Sequence, residues 1–148
     1  MRVLIDTNVL ISAALFPQST PARAFRKANT VPFQAVICEQ NLDEMKRIFT
    51  KKFPDKLPAL ESFISNSLLS IEIVDTPEIP VEEERSIRDM MDRPILRSAI
   101  VSGVDIILTG DKDFLESGID NPRMMTPSDF LSVRPSSEKL VVFQNPGL

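Results

Sequence analysis

Arg2-Val-Leu-Ile-Asp-Thr-Asn8 is the stretch from which the fold is read. Val3, Leu4 and Ile5 form a short apolar run with β-branched residues at both ends. Such a run is consistent with a strand buried on both faces. It stops at Asp6. In open α/β sheets the carboxyl ends of the strands face the binding crevice, which puts Asp6 at its lip. Thr7 and Asn8 would then hold its oxygens. An Asp in this place is equally an ordinary helix N-cap, and the stretch by itself supports both roles.

A later stretch repeats the logic. Ile106-Ile-Leu108 is a second apolar strand, and it runs into Thr109-Gly-Asp-Lys-Asp113. Here a small residue allows tight backbone approach, and carboxylates follow at the strand's carboxyl end. Between and around these two strands the chain alternates. Residues 9–15 begin a helix. Thr20-Pro21 is a cap with proline at the first helical position, opening a helix through Ala28. Residues 33–38 form a strand, and 39–52 a helix whose core face is Leu42, Met45 and Phe49. Residues 59–69 form a helix and 71–74 a strand. Glu82, Glu83 and Glu84 read as a solvated helix start. Asp92-Arg-Pro94 caps a helix that Gly103 ends as a left-handed residue. Residues 122–125 form a fifth, shorter strand, and Thr126 caps a last helix. This alternation predicts a three-layer α/β/α fold with a central, mostly parallel sheet of four to five strands. The apolar run 140–143 has strand character and lies in a polar tail.

Composition narrows the chemistry. At 148 residues the chain is one domain with enough surface to bury a core. It holds a single cysteine, Cys38, and no histidine. An intramolecular disulfide, thiolate zinc clusters, Ser-His-Asp triads and imidazole bases are thereby excluded. The cysteine usage, the absence of a transmembrane run and the early Asp6 point to a cytoplasmic chain without a leader. The net charge of −4 gives no global basic footprint. A local basic group does exist: Lys46, Arg47, Lys51, Lys52 and Lys56 fall close together, on what is by default a solvated face.

The acids divide by position. If the two Asp-ended strands are neighbours at the point where strand order reverses, Asp6 and Asp111 meet across the crevice. Like charges at close range repel, and burial worsens it. Such a cluster persists if protonated, paired with a base or bound to a cation; carboxylates without imidazole or thiolate suit Mg²⁺ or Mn²⁺. Glu44 reads most simply as a surface partner of Arg47 one turn away. Asp92 is accounted for as a cap.

At this point the sequence resembles a known family. Val3-Leu-Ile-Asp-Thr-Asn-Val-Leu10 is similar to the first motif of the PIN-domain family, and 104–115 to its fourth-strand motif. Residues 92–100 resemble the intervening helix and 126–131 the terminal one, in the family's order. The resemblance implies a nuclease domain over residues 1–131, leaving 132–148 as a tail that adds a strand or binds a partner. It implies an endoribonuclease dependent on Mg²⁺ or Mn²⁺. Its acids fall on Asp6, Glu44, Asp92 and Asp111, with Asp113 as an accessory ligand and Asn8 and Thr109 in support. The Glu44 carried over in this way replaces the salt-bridge reading. Many relatives read Asp-Pro-x-Asp before the third acid; here the stretch is Asp89-Met-Met-Asp92. Arg47, Lys51 and Lys52 are candidate RNA phosphate contacts. Small prokaryotic members of the family are often toxins paired with an antitoxin protein and often homodimers, so a homodimer or higher homo-oligomer is expected. The rival readings are a phosphoacceptor receiver domain and, more generally, a non-catalytic regulatory or RNA-binding module with an acidic metal pocket.

Overall fold

A computed structural model describes residues 1–67 and 69–134. Five strands, β1 (Arg2–Ile5), β2 (Gln34–Cys38), β3 (Glu72–Val74), β4 (Ile106–Leu108) and β5 (Arg123–Met125), form one sheet in the order β3-β2-β1-β4-β5. Every pairing is parallel. Strand order therefore reverses at β1, with β2 on one side and β4 on the other. The two strands that end in aspartate are adjacent, as the crevice argument requires.

Side chains alternate along a strand, and this alternation divides the core. Val3, Ile5, Ala35, Ile37, Ile106 and Leu108 face one way. On them pack α1 (Thr7–Leu15), α2 (Thr20–Ala28), α3 (Glu39–Lys52), α4 (Leu57–Ser67) and α7 (Pro127–Ser132). Leu4, Val36, Cys38 and Ile107 face the other way, onto α5 (Arg93–Ser102) and Phe114 of the short α6 (Lys112–Leu115). Continuous apolar strands are what a sheet covered on both faces needs. The chain is thus a three-layer α/β/α fold with a wholly parallel sheet. Among the described residues no helix is long and apolar enough to cross a membrane. The run 140–143 lies outside the described residues.

Local chemistry shifts several boundaries. Ser19, not Thr20, caps α2: its hydroxyl accepts from the Ala22 N–H at 3.2 Å, and Pro21 follows in the first turn. α1 starts at Thr7 because Asp6 is its cap. α4 runs 57–67 rather than 59–69. Gly103 closes α5 at φ 69°, as the sequence implied.

One expectation is corrected outright. Glu82, Glu83 and Glu84 do not all face solvent. They form a 3₁₀ turn (Glu82–Ser86), and Glu84 is buried. The reason is Arg97 on α5, whose Nε and Nη2 each donate to a Glu84 carboxylate oxygen at 2.9 Å. Glu84 also accepts from the Val81 N–H at 2.8 Å, and Arg97 reaches the Pro77 carbonyl. This fork ties the loop before α5 to α5 itself. The Arg97 hydrogen bonds hold the Glu84 carboxyl below its usual range, against the effect of burial.

Glu84→Gln should lower unfolding free energy by about 2 kcal/mol, the cost of leaving a charged partner short of its acceptor. Urea denaturation checks it. The sign with pH follows from the lowered carboxyl: the wild-type advantage is present above the ordinary carboxylate range and lost as pH falls through the folded-state value.

Candidate metal centre

The register of β1 on β4 builds the site. Ile5 pairs with Leu108, and the Asp6 N–H extends the ladder by donating to the Leu108 carbonyl at 2.9 Å. This sets Asp6 beside Thr109, whose hydroxyl donates to Asp6 Oδ2 at 2.8 Å. Asp6 Oδ1 accepts from the Thr7 N–H at 2.8 Å. Asp6 is therefore both a helix cap and a crevice residue, one oxygen serving each role. Thr109 Oγ1 in turn accepts from the Asp111 N–H at 3.0 Å, so one hydroxyl links the two strand-end acids. Asp111 caps α6, accepting from the Asp113 N–H at 2.8 Å.

Asn8 does not hold Asp6. It is exposed, with its side chain in a neighbouring groove. The residue that does position this end of the site is Asn41, which the sequence reading passed over. Asn41 is fully buried in the first turn of α3. Its Oδ1 accepts from the Cys38 N–H at 2.9 Å, and its Nδ2 donates to Thr7 Oγ1 at 2.9 Å. The start of α3 is thereby clamped to the start of α1, and Glu44 stands one turn further along α3. An Asn three residues after a strand-end Cys was the available signal, an N-cap spacing read without its cap.

Asp92 also departs from expectation. It occupies the N-cap of α5, but its backbone is helical (φ −87°, ψ −15°) and its side chain makes no capping bond. Its Oδ2 is buried with no hydrogen-bond partner, as is Oε1 of Glu44. Buried carboxylate oxygens without partners are costly. The charge of Asp6 acts on both carboxyls, and that of Asp111 on Asp92. Burial, and then the charges of Asp6, Asp111 and Asp89, push the Asp92 carboxyl up to about 8. Burial and the Asp111 charge push Asp6 up to about 6, against the hydrogen bonds from Thr109 and Thr7. Glu44 is raised by burial and by Asp6; Arg47 and a hydrogen bond with Gln40 act the other way.

Asp6 is thus the acid that links the others: it acts on Glu44 and Asp92, and Asp111 acts on it. A second grouping overlaps this one: single oxygens of Asp89, Asp92 and Asp113 lie within 4.8 Å of one another. Asp92 belongs to both. Asp113 is paired with Arg88, whose Nη2 stands 2.9 Å from its Oδ1. Neither Asp89 nor Arg88 carried a sequence signal strong enough to be chosen. Of the basic candidates, Arg47 is near enough to act on Glu44, whereas Lys51 and Lys52 are exposed at the last turn of α3, about 10 Å further along its axis. The donor set consists of hard oxygens, two of them buried and unpartnered, with no imidazole or thiolate. These residues fit a hard divalent cation.

A wholly parallel α/β/α sheet with carboxylates gathered where its strand order reverses defines a class of α/β proteins with an acidic crevice at the strand ends. The chain belongs to the PIN-domain family: the family model, described as PIN domain, matches residues 2–113. Members of this family are generally nucleases, and they typically use divalent metal. The fold is similar to that of a chain in the crystal structure of VapBC2 from Rickettsia felis bound to a DNA fragment from their promoter. The TM-score is 0.64 at 18% identity, covering 85% of this chain and 98% of that one. No curated protein matches the sequence.

The raised carboxyls fix a pH dependence for the metal-free protein. A group whose folded value exceeds its unfolded value of 3.8 stabilises most below that value, and the contribution fades as pH rises through the folded one. Thermal melts in chelator should therefore show the melting temperature falling as pH rises from about 4 to about 8. A flat or rising profile across that window would mean that burial and like charge do not raise these carboxyls in the folded protein.

Proposed function

We propose that this chain is a Mg²⁺- or Mn²⁺-dependent endoribonuclease that hydrolyses RNA phosphodiester bonds. The observation that carries the reading is the pair of buried, unpartnered oxygens on Glu44 and Asp92, two carboxyls that both feel the charge of Asp6. Asp6, Glu44, Asp92 and Asp111 hold the ion, with Asp113 as an accessory ligand and Thr109 orienting Asp6. When bound, a divalent cation supplies charge neutralisation at a scissile phosphate and activates water as the nucleophile. The chain's own residues do the rest. Thr109 and the Thr7 N–H fix the Asp6 carboxylate so that its geometry costs nothing to assemble at the moment of reaction. Asn41 keeps α3, and with it Glu44, in register with the strand ends. Arg47, Lys51 and Lys52 offer phosphate contacts along α3, which position RNA without reading its sequence.

The reading extends to context. Residues 1–131 are the nuclease unit and 132–148 a tail; the end of α7 at Ser132 is consistent with that division. The structural likeness to VapBC2 supports a toxin component working with an antitoxin protein; a homodimer or higher homo-oligomer in the cytoplasm is what the family resemblance adds to this reading.

Asp6→Asn tests the centre. Asn is as good an N-cap as Asp, and the change removes one charge from a self-repelling cluster. The variant should fold, melt no lower than wild type in chelator at pH 8, and lose Mn²⁺ binding by calorimetry together with RNA cleavage, by at least about 100-fold. A folded variant that still binds Mn²⁺ and cleaves at the wild-type rate would remove Asp6 from the site.

A further inference from the structure

Beside the acids lies a groove of about 320 Å³ that none of the chemistry above uses. Four polar side chains converge on it: Asn8 and Ser12 from α1, Thr20 from α2 and Ser128 from α7. None of the four makes a side-chain hydrogen bond among the described residues. Val9, Pro21 and Pro127 supply its apolar surface, and no Lys, Arg, Asp or Glu lines it. Its volume is at the small end of ligand clefts.

Gly110 joins this groove to the catalytic loop. It stands between Thr109, which holds Asp6, and Asp111. The sequence suggested that a small residue here lets the backbone be approached closely. No protein atom makes that approach: a Cβ built at Gly110 meets nothing within 4 Å, and its φ is not positive. Neither packing nor backbone conformation asks for glycine. What remains is open space beside the strand-end acids, floored by backbone.

We infer that this groove seats the nucleoside flanking the scissile phosphate, with the base lying against Pro21 and Pro127 and the hydroxyls of Ser12, Thr20 and Ser128 bonding its polar edge and ribose. A phosphate would call for Arg or Lys, and the groove has neither. A nucleoside needs apolar contact plus a few neutral donors and acceptors, and RNA is read in this way on unstacked nucleotides. The inference rests on the ribonuclease reading. It adds to that reading a binding subsite and assigns Ser12, Thr20 and Ser128 to substrate rather than to fold.

Two variants test it, each assayed with a fluorescent single-stranded oligoribonucleotide pool of mixed sequence in Mn²⁺. Thr20→Val combined with Ser128→Ala removes two hydroxyls at nearly constant shape. Ser12→Met keeps a helix-compatible residue and fills the groove. Both should melt within about 2 °C of wild type, since no structural hydrogen bond is lost. Both should raise KM about tenfold, the worth of two neutral hydrogen bonds or of a blocked subsite, with kcat within about twofold. A folded Ser12→Met variant with unchanged KM, where wild type cleaves, overturns the subsite and leaves the ribonuclease reading standing. A fall in kcat at unchanged KM also overturns it, because the residues would then act on the acids. A folded wild type that does not cleave the pool overturns the ribonuclease reading and the subsite together.

Discussion

The pairing of β1 with β4 is the constraint on which the rest depends. Parallel register sets Ile5 against Leu108 and carries the ladder one residue further, to the Asp6 N–H. Two aspartates are thereby fixed at adjacent strand ends, in a place where Asp6 is almost wholly buried. Burial and like charge both oppose ionisation there. The fold answers with neutral hydrogen bonds rather than with a basic partner. Thr109 and the Thr7 N–H hold Asp6, and Asn41 holds Thr7. A buried Arg or Lys in this position would relieve the repulsion and occupy the centre. Two cations sit instead at the margin: Arg88 on Asp113, and Arg47 by Glu44.

This arrangement makes anion binding conditional. Without a cation, the strand-end acids repel a phosphate, and the exposed lysines of α3 are too far along the helix to offset that repulsion locally. Screening in salt weakens their reach further. A bound divalent cation would offset part of that negative charge and would give a phosphate something to approach.

The sheet and most helices were legible because their cause is periodic. Continuous apolar strands and three-and-four spacing are properties of the chain itself, so α3 and β4 emerge with their observed bounds. Asp6 was legible because a carboxylate ending a buried strand has few uses. Asn41 was not, since its role depends on Thr7 arriving from another element. Glu84 was misread for the same reason: three consecutive glutamates look solvated until Arg97 is brought beside one of them. Glu44 and Asp92 each had an adequate local explanation, a helix salt bridge and a cap. Only tertiary structure shows that Asp92 makes no capping bond and that both leave a buried oxygen unpartnered.

The loop before α5 shows how the same end is reached with different residues. Relatives that read Asp-Pro-x-Asp gain rigidity from proline, which fixes one backbone angle. Here the second position is Met90, exposed to solvent, and that stiffening is absent. Asp89 supplies a substitute. Its Oδ1 accepts from the Met91 N–H at 2.9 Å, an Asx turn that closes the loop on itself. The Asp92 N–H then donates to the Asp89 carbonyl at 3.1 Å. Asp89 therefore stiffens the segment that delivers Asp92 while keeping a carboxylate oxygen in the ligand-spaced group with Asp92 and Asp113. The glutamate–arginine fork anchors the preceding turn, and the Arg93 Nε bond to the Ile87 carbonyl ties the loop to the start of α5. The absence of proline is thus offset by four side-chain hydrogen bonds, and the Asp89 carboxylate that accepts one of them belongs to the acid cluster itself.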